Sequence, residues 1–264
     1  MLSVTYLHHS GFLVETDRHI LLFDYIRDNA PEGGVPGNGV FHPEAYAGKR
    51  LAVFVSHHHA DHFDPAVFEW AENRPDTLYF VGKDVRRVPE NIHVFRMRGG
   101  DVKAEGGVEV TALRSTDDGV AFIVQTDGVL LYHAGDLNWW TWKGETEEEK
   151  QKMEKNFKDD LEFLCEKLAG NEITAAFLPL DPRLENHYAD GFDYYMHNIP
   201  IRYAFPMHAF GDYSVIGRLM KEDIACEYRN KVINLCGEKK KKVKILNPEV
   251  RRRIKEMLER KEET

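Results

Sequence analysis

The chain has 264 residues, a formal net charge of −9, and 42% hydrophobic and 11% aromatic residues, enough for a large α/β domain with a sizeable core. No apolar run approaches the ~18 residues of a membrane helix, and the N-terminus lacks a signal-peptide pattern, so we expect neither a membrane protein nor an exported one. Cys165, Cys226 and Cys236 form no CxxC pair. They are therefore interpreted as small core residues of a protein in a reducing, cytoplasmic setting.

The negative charge is unevenly distributed. Residues 238–264 contain 11 Lys or Arg against 6 Glu, a net charge of +5, which leaves −14 on the preceding 237 residues. An acidic body argues against a broad nucleic-acid footprint. The basic tail is predicted to be a solvated strand and helix that extend a single domain spanning residues 1–264.

The first half of the chain is predicted to be rich in strands. A glycine- and proline-rich loop is expected at 28–40, and a helix at Pro65–Glu72, with Asp64 as its N-cap and Pro65 at its first position. The Asp127-Gly128 pair predicts a hairpin. Strands are predicted at Ser3–Leu7, Phe12–Glu15, Ile20–Asp24, Leu51–Val55, Leu78–Val81, Val94–Met97, Val108–Leu113, Ala121–Gln125 and Val129–Tyr132.

Helices become more frequent in the second half. A long amphipathic helix is predicted at Glu145–Ala169 because its apolar residues recur at helical spacing. Strands alternating with helices indicate two sheets with helices outside. Further helices are predicted at Asp190–Asn198 and Ser214–Glu222, and further strands at Ala175–Leu178, Tyr203–Pro206, Lys231–Leu235 and Val243–Leu246.

The segment SHHHADH, residues 56–62, follows the apolar strand at 51–55 directly. His57 and His59 are two residues apart at the strand end, so both rings can point the same way. Asp61 and His62 follow on a turn that leads to a helix. Neutral imidazoles and a carboxylate that converge on one point are the ligands preferred by borderline divalent metals. The segment therefore predicts a metal site.

This segment resembles the H-x-H-x-D-H signature of the metallo-β-lactamase superfamily. The resemblance continues in order along most of the chain: Asp24 ends ILLFD, Asp136 ends YHAGD, and His208 ends FPMH. GFLVET near the start and LDPR at Leu180–Arg183 are similar to the branch that contains ascorbate-6-phosphate lactonase and many uncharacterised metal-dependent hydrolases. This branch is compatible with a homo-oligomer.

The resemblance implies an α/β fold of the αββα sandwich type with a dinuclear metal site. By that analogy His57 and His59 bind the first metal, and Asp136 bridges both metals. Asp24 orients ligand side chains without binding metal itself. The ligands implied for the second metal are Asp61, His62 and His208.

One ligand of the family pattern is missing. The family has another histidine after the strand predicted at Val108–Leu113, where this chain has Arg-Ser-Thr-Asp-Asp-Gly at 114–119. His133 is three residues before Asp136 and is expected to face the other way. Several replacements remain open: Ser115, Asp117, a water, or a histidine from elsewhere such as His9 or His187. Alternatively, the first site is weak and one metal dominates.

Four further residues are candidates for contact with substrate. His9 lies in a tight turn between the first two strands, where an ordinary turn histidine is the alternative. Trp139 belongs to a run of three tryptophans in four residues, which would wall a pocket or pack against the long helix. Arg183 and His187 follow a strand. Arg183 would hold a carboxylate or phosphate, or form a structural salt bridge.

The resulting hypothesis is a hydrolase that uses metal-activated water on a small-molecule ester, lactone, amide or phosphoester. Asp61 and Asp136 would orient the water, and Asp61 would take up a proton. Zinc is the default metal, with one or two ions, and manganese or iron is the alternative. Two other functions remain open: a nuclease or phosphodiesterase on the same fold, and a metal-binding or ligand-sensing protein with little turnover.

Overall fold

The computed structural model describes residues 2–26, 41–235 and 242–245. The strands in this part of the chain are β1 Leu2–His8, β2 Gly11–Glu15, β3 His19–Phe23, β4 Arg50–Val55, β5 Leu78–Gly82, β6 Phe95–Met97, β7 Val102–Glu105, β8 Val108–Arg114, β9 Val120–Thr126, β10 Val129–His133, β11 Ala175–Pro179, β12 Ala204–Met207 and β13 Lys242–Ile245.

These strands form two mixed sheets. The first has the order β13-β1-β2-β3-β4-β5-β6, and the second β12-β11-β10-β9-β8-β7. Strands β3 to β6 are parallel, as are β10 to β12, while the other pairs are antiparallel. Consequently β1, β3, β4 and β5 end at one edge of the first sheet, and β8, β10, β11 and β12 end at one edge of the second.

The helices are α1 Glu147–Leu168, α2 Asp190–Asn198 and α3 Ser214–Leu219, with 3₁₀ turns at Pro43–Tyr46, Pro65–Ala71, Pro182–His187 and Asp223–Ala225. Thr146 and Glu149 form a capping box that starts α1, and Ala169 in the left-handed region ends it. Helix α1 lies against β8 and α2 against β11, so both cover the outer face of the second sheet. None of the described helices is long and apolar enough to cross a membrane.

The main core lies between the two sheets. Phe23 and Phe54 of the first sheet stack on each other, and they meet Phe177 and Phe122 of the second sheet. A second core covers the outer face of the first sheet, where the 3₁₀ turn Pro65–Ala71 packs on buried strand residues. The predicted αββα sandwich is thus confirmed, with 3₁₀ turns as its outer layer on the first sheet.

Several local predictions were wrong. The helix predicted at Pro65–Glu72 is a 3₁₀ turn, although Asp64 does cap it by accepting from the Ala66 amide. The strand predicted at Lys231–Leu235 is only a single bridge between Ala204 and Val232. Strand β7 was missed because all four of its residues are exposed and carry no hydrophobic pattern.

The cysteines and the tail were only partly predicted. Cys165 and Cys226 are exposed rather than in the core, because Cys165 lies on the outer face of α1 and Cys226 follows a surface turn. Cys236 and the loop predicted at 28–40 lie outside the described residues. Of the basic tail, β13 is described, and it pairs antiparallel with β1. The helix predicted further along lies outside the described residues.

Candidate metal centre

The polar residues singled out from the sequence lie where strands end. Because parallel strands place their carboxyl ends at the same edge, the turns after β1, β3, β4, β8, β10, β11 and β12 meet at one end of the sandwich. The residues that these turns contribute to the centre are His9, Asp24, Ser56–His62, Asp117–Asp118, Asp136, Asp181 and His208.

Two groups of ligand-type atoms lie close together at this end. We call His57, His59 and Asp136 the His57 cluster, and His9, Asp61, His62 and His208 the His62 cluster. Within each cluster one ligand atom per residue lies within 4.8 Å of all the others. A third group, His58, His59 and Asp118, is more exposed.

Asp136 faces both clusters with different oxygens. Its Oδ2 lies 3.5 Å from His57 Nε2, which in turn lies 3.0 Å from His59 Nδ1. Its Oδ1 lies 3.1 Å from His62 Nε2 and 3.4 Å from His208 Nε2. Asp136 thus presents one oxygen to each cluster.

Four buried atoms at the centre lie at ion-pair distance from a neighbouring ligand-type atom but make no well-aligned hydrogen bond with any described residue: Nε2 of His9, His62 and His208, and Oδ1 of Asp136. Leaving buried polar atoms unpaired costs free energy, roughly 1–3 kcal/mol for each atom. A divalent cation among the three imidazole nitrogens, which lie within 4.8 Å of one another, would satisfy them, and Asp136 Oδ1 lies next to two of them. Imidazole nitrogens combined with carboxylate oxygens are also the donor set that zinc and related metals take. The residues therefore fit a metal.

Carboxylates lie behind two of the histidines. Asp24 Oδ2 is 2.7 Å from His62 Nδ1, and Asp24 accepts from both the amide and the hydroxyl of Ser56, at 2.7 and 2.6 Å. Asp181 Oδ2 is 3.0 Å from His208 Nδ1. A carboxylate on one ring nitrogen directs the other nitrogen toward a metal. Asp24 was singled out from the sequence, whereas Asp181 was overlooked, although it follows the end of a strand as the other site residues do.

Burial and mutual charge set the protonation of the histidines. Burial, together with the nearby His62, lowers the pKa of His57 to about 4, so this ring is neutral at pH 7. Burial alone would also lower the pKa of His62, but Asp136 and Asp24 outweigh it and raise that pKa well above its usual range. The pocket thus attracts positive charge.

The side chains of Asp61 and Asp136 are both ionised. The His9 imidazole beside Asp61 holds the pKa of that carboxyl well below its usual range. Burial would raise the pKa of Asp136, but the surrounding histidines, His62 foremost, lower it strongly. The side chain of Asp61 is 38% exposed and that of Asp136 only 5%. Asp61 therefore lies at the mouth of the centre and Asp136 at its base.

The segment in place of the missing histidine lies next to the His57 cluster. Asp118 Oδ2 is 3.3 Å from His59 Nε2. Burial and the charge of Asp136 raise the pKa of Asp117, which lies nearby but in neither cluster. The Ser115 hydroxyl accepts from the Asp117 amide at 3.2 Å. Asp118 was not among the sequence candidates, since loop residues carry no periodicity that shows which of two adjacent aspartates points inward.

His133 lies behind the centre. Its Nε2 is 2.9 Å from the Ser10 carbonyl, and its Nδ1 accepts from the Gly135 amide at 3.1 Å. The Nδ1 is also 3.9 Å from Asp24 Oδ2. His133 belongs to neither cluster, which agrees with the opposite orientation expected from its spacing.

The three tryptophans have different surroundings. Trp139 packs against Phe157 of α1 and Tyr194 of α2, so it serves the helix layer. The Trp140 indole donates to the Asp136 carbonyl at 2.9 Å, and its ring lies 5.4 Å from that of His208. Trp142 stacks on Trp140 and is 36% exposed. Trp140 and Trp142, rather than Trp139, line the side of the centre.

Arg183 lies over the aromatic rim and His187 lies apart from it. The Arg183 guanidinium forms a two-pronged ion pair with Asp181 and lies 3.5 Å from the Phe210 ring centre and 5.3 Å from that of Trp142. His187 pairs with Asp190 at 2.7 Å on an exposed 3₁₀ turn and belongs to neither cluster.

Curated relatives match part of this chain. A UPF0173 metal-dependent hydrolase from Thermococcus kodakarensis is 29% identical over 148 residues, which cover 52% of this chain and 62% of that protein. One from Opitutus terrae is 30% identical over 163 residues, which cover 51% of this chain and 63% of that protein. The match thus spans less than two thirds of each relative.

Solved structures match a larger share. A structure from Parabacteroides distasonis has a TM-score of 0.58 at 16% identity and covers 88% of this chain and 91% of its own. Igni18, a metallo hydrolase from Ignicoccus hospitalis, has a TM-score of 0.52 at 18% identity, with 78% and 82% covered. At these identities the likeness concerns the fold.

A family model described as the beta-lactamase superfamily domain matches residues 3–153, more than half of the chain. This region includes the SHHHADH segment and Asp136. The chain therefore belongs to the metallo-β-lactamase superfamily.

Proposed function

We propose that this protein is a metal-dependent hydrolase of small molecules that uses activated water. The observation that carries the proposal is the bridging arrangement of Asp136, whose two oxygens face two clusters of histidines. The relatives named as metal-dependent hydrolases support the same reaction class. Because the match covers only part of those relatives, their activity is not simply transferred to this chain.

His57, His59, Asp61, His62, Asp136 and His208 would hold the metal. The nitrogen-rich donor set supports zinc, with manganese or iron as alternatives. When bound, such an ion supplies Lewis acidity that makes water a nucleophile near neutral pH and polarises a carbonyl or phosphoryl oxygen.

The chain's own carboxylates divide the remaining work. Asp136 is buried beneath the two clusters and would hold them in register. Asp61 is partly exposed at the mouth, where it would orient the attacking water and take up its proton. Asp24 and Asp181 would fix the orientation of His62 and His208 by accepting from the ring nitrogens that point away from the centre.

The rim supports a small, partly apolar substrate that carries an anionic group. Trp142 and Phe210 are 36% and 47% exposed beside the centre, and both lie under the Arg183 guanidinium. Aromatic faces suit sugar-like or planar ligands, and Arg183 would attract a carboxylate or phosphate. A lactone or ester of a phosphorylated or carboxylated sugar fits this chemistry. We further propose that the protein acts in the cytoplasm and that the chain forms a single domain.

The test is hydrolysis of a panel of esters, lactones, amides and phosphodiesters by full-length protein loaded with zinc or manganese. We expect turnover of at least one class, abolished in His62→Ala and retained in His187→Ala, whose histidine lies outside both clusters. Absence of turnover on the whole panel with metal verifiably bound would overturn the proposal.

A protein that binds metal or senses a ligand with little turnover is the second candidate. It is favoured by the His57 cluster, which has only three members and lacks the family's further histidine. Tight metal binding without hydrolysis of any panel member would support it. The nuclease alternative rests on the basic tail, most of which lies outside the described residues.

A further inference from the structure

We propose that His9 is a metal ligand, and that it makes the two metal sites unequal: tight at the His62 cluster and weak at the His57 cluster. This inference rests on the proposed function only in locating metal at the same centre. It assigns to His9 a role different from substrate contact and from replacing the missing ligand of the first site.

The backbone of His9 is held in an uncommon conformation. Its φ is +50°, in the left-handed region that only a few per cent of non-glycine residues adopt, histidine more readily than most. Its carbonyl accepts from the Tyr6 hydroxyl and from the His208 amide, each at 3.4 Å. Such conformations persist where the surroundings enforce them, which is frequent at functional sites. The turn therefore fixes where the ring points.

The His9 ring points into the His62 cluster. Its side chain is only 4% exposed, and its Nε2 lies 3.3 Å from Asp61 Oδ2. The ring centre is 4.4 Å from that of His208 and 5.4 Å from that of His62. Donor atoms around a tetrahedral zinc with bonds of 2.0–2.1 Å lie about 3.3 Å apart. The His9 Nε2–Asp61 Oδ2 separation already matches this value, and the other donor atoms of the cluster, all within 4.8 Å of one another, need only a small contraction. The Nε2 of His9, which lacks a well-aligned hydrogen bond and faces the other donor atoms of the cluster, is thus placed as a ligand.

The count of donors differs between the two sites. The His62 cluster together with Asp136 Oδ1 offers three imidazole nitrogens and two carboxylate oxygens. The His57 cluster offers two imidazole nitrogens and Asp136 Oδ2. The chain lacks a histidine near 115 at the first site, whereas the turn after β1 adds His9 to the second site. Two ions should therefore bind one after the other, the first at the His62 cluster.

The first test is titration of metal-free, full-length protein with zinc against a competing chelator. We expect one tight equivalent followed by a weaker one. His9→Asn keeps a residue type that tolerates positive φ and removes the imidazole. It should weaken the tight equivalent by more than the ~10–100-fold that loss of an outer partner costs. His59→Asn should weaken only the second equivalent, and His187→Asn neither.

The second test can be decided on wild-type protein alone. X-ray absorption fine structure of wild-type protein with one equivalent of zinc should show three imidazoles around the ion, falling to two in His9→Asn. Two imidazoles in the wild type, or unchanged binding of both equivalents in His9→Asn, would overturn the inference. Should His9→Asn fail to fold, the wild-type spectrum decides. Both tests measure binding without turnover, so protein that binds as described but hydrolyses nothing contradicts the proposed function alone.

Discussion

Asp181 lies directly behind His208, with its Oδ2 3.0 Å from Nδ1 of the ring whose Nε2 faces Asp136 Oδ1 at 3.4 Å. Burial would raise the pKa of Asp181, but His208 and Arg183 outweigh it, and the group stays a carboxylate. It can therefore accept a hydrogen bond from the protonated Nδ1 of His208, which leaves the lone pair of Nε2 free to bind a metal. Asp181 repeats for His208 what Asp24 does for His62.

Replacing this carboxylate tests its role. We expect Asp181→Asn to weaken zinc binding at the His62 cluster about 10–100-fold, because an amide holds the ring less firmly and makes it less basic. Competition with a chelator measures the effect. Asp190→Asn is the matched control, since Asp190 also pairs with a histidine, His187, but outside the centre. Equal affinities in the two variants would show that Asp181 does not support the site.

The segment at 114–119 approaches the end of β4 so closely that only glycine fits at position 119. The φ of Gly119 is +73°, and a Cβ there would overlap the Ser56 carbonyl and the His57 Cβ, whereas a Cβ on Gly128, at φ +72°, would meet nothing within 4 Å. Gly128→Ala should cost only the backbone term of ~1–2 kcal/mol. Gly119→Ala should cost more and should also weaken metal binding at the His57 cluster.

Urea unfolding of the two alanine variants, followed by zinc titration, measures this difference. Gly128→Ala serves as the control for backbone strain alone. If both variants lost the same stability and bound zinc alike, the close packing of residue 119 on the end of β4 would not matter for His57.

The positions of strand ends made much of the centre predictable. Apolar strands with polar residues directly after them placed Asp24, His57, Asp136 and His208 at one edge, because parallel strands end together. The family resemblance supplied the order in which they occur. The two sheets and the long helix followed from hydrophobic periodicity, which the buried strands and the capped amphipathic helix carry strongly.

The remaining contacts depend on side-chain directions within turns, which no periodicity records. The sequence showed a histidine turn at 8–9, but the ring of His9 reaches the His62 cluster only because of a positive φ. The LDPR segment led to the selection of Arg183 as a candidate, whereas Asp181 is the residue of this segment that forms a hydrogen bond with His208. The tryptophan run likewise gave no sign that Trp139 would turn toward α1 and Trp142 toward the rim.

The tryptophans should separate stability from substrate contact. Trp139→Ala removes packing on Phe157 and Tyr194 and should cost roughly 1–3 kcal/mol, less than the ~3–5 kcal/mol of a fully buried aromatic residue. Trp142→Ala should leave stability within about 1 kcal/mol and raise KM for the substrate that the panel identifies. Thermal unfolding and steady-state kinetics of both variants measure this. The opposite pattern would remove Trp142 from the substrate rim.

Asp127, which lies outside the candidate metal centre, should make the folding stability depend on pH. Burial would raise its pKa, but hydrogen bonds from Thr16, Arg18 and His19 hold it well below the usual value. A folded pKa below the unfolded one, ~3.9, stabilises the protein above that pH, and the gain is lost as pH falls through the folded pKa. Asp127→Asn should therefore lower Tm at pH 7. The difference in Tm between wild type and variant should narrow below about pH 4.

Thermal unfolding of both proteins between pH 3 and 8, with metal removed from each, tests this. Asparagine keeps the size of the side chain and tolerates the φ of +46° at this position. A difference in Tm that did not change with pH would mean that the charge of Asp127 does not contribute to folding stability.

Anomalous diffraction at the zinc edge, from crystals of full-length protein grown with zinc, tests the central claim most directly. We predict one strong peak within bonding distance of His62, His208 and Asp136 Oδ1. A second peak of equal or lower occupancy should lie at His57, His59 and Asp136 Oδ2. Zinc located only at surface groups such as His58 and Asp84, with neither cluster binding an ion, would contradict the assignment of this centre as metal-binding.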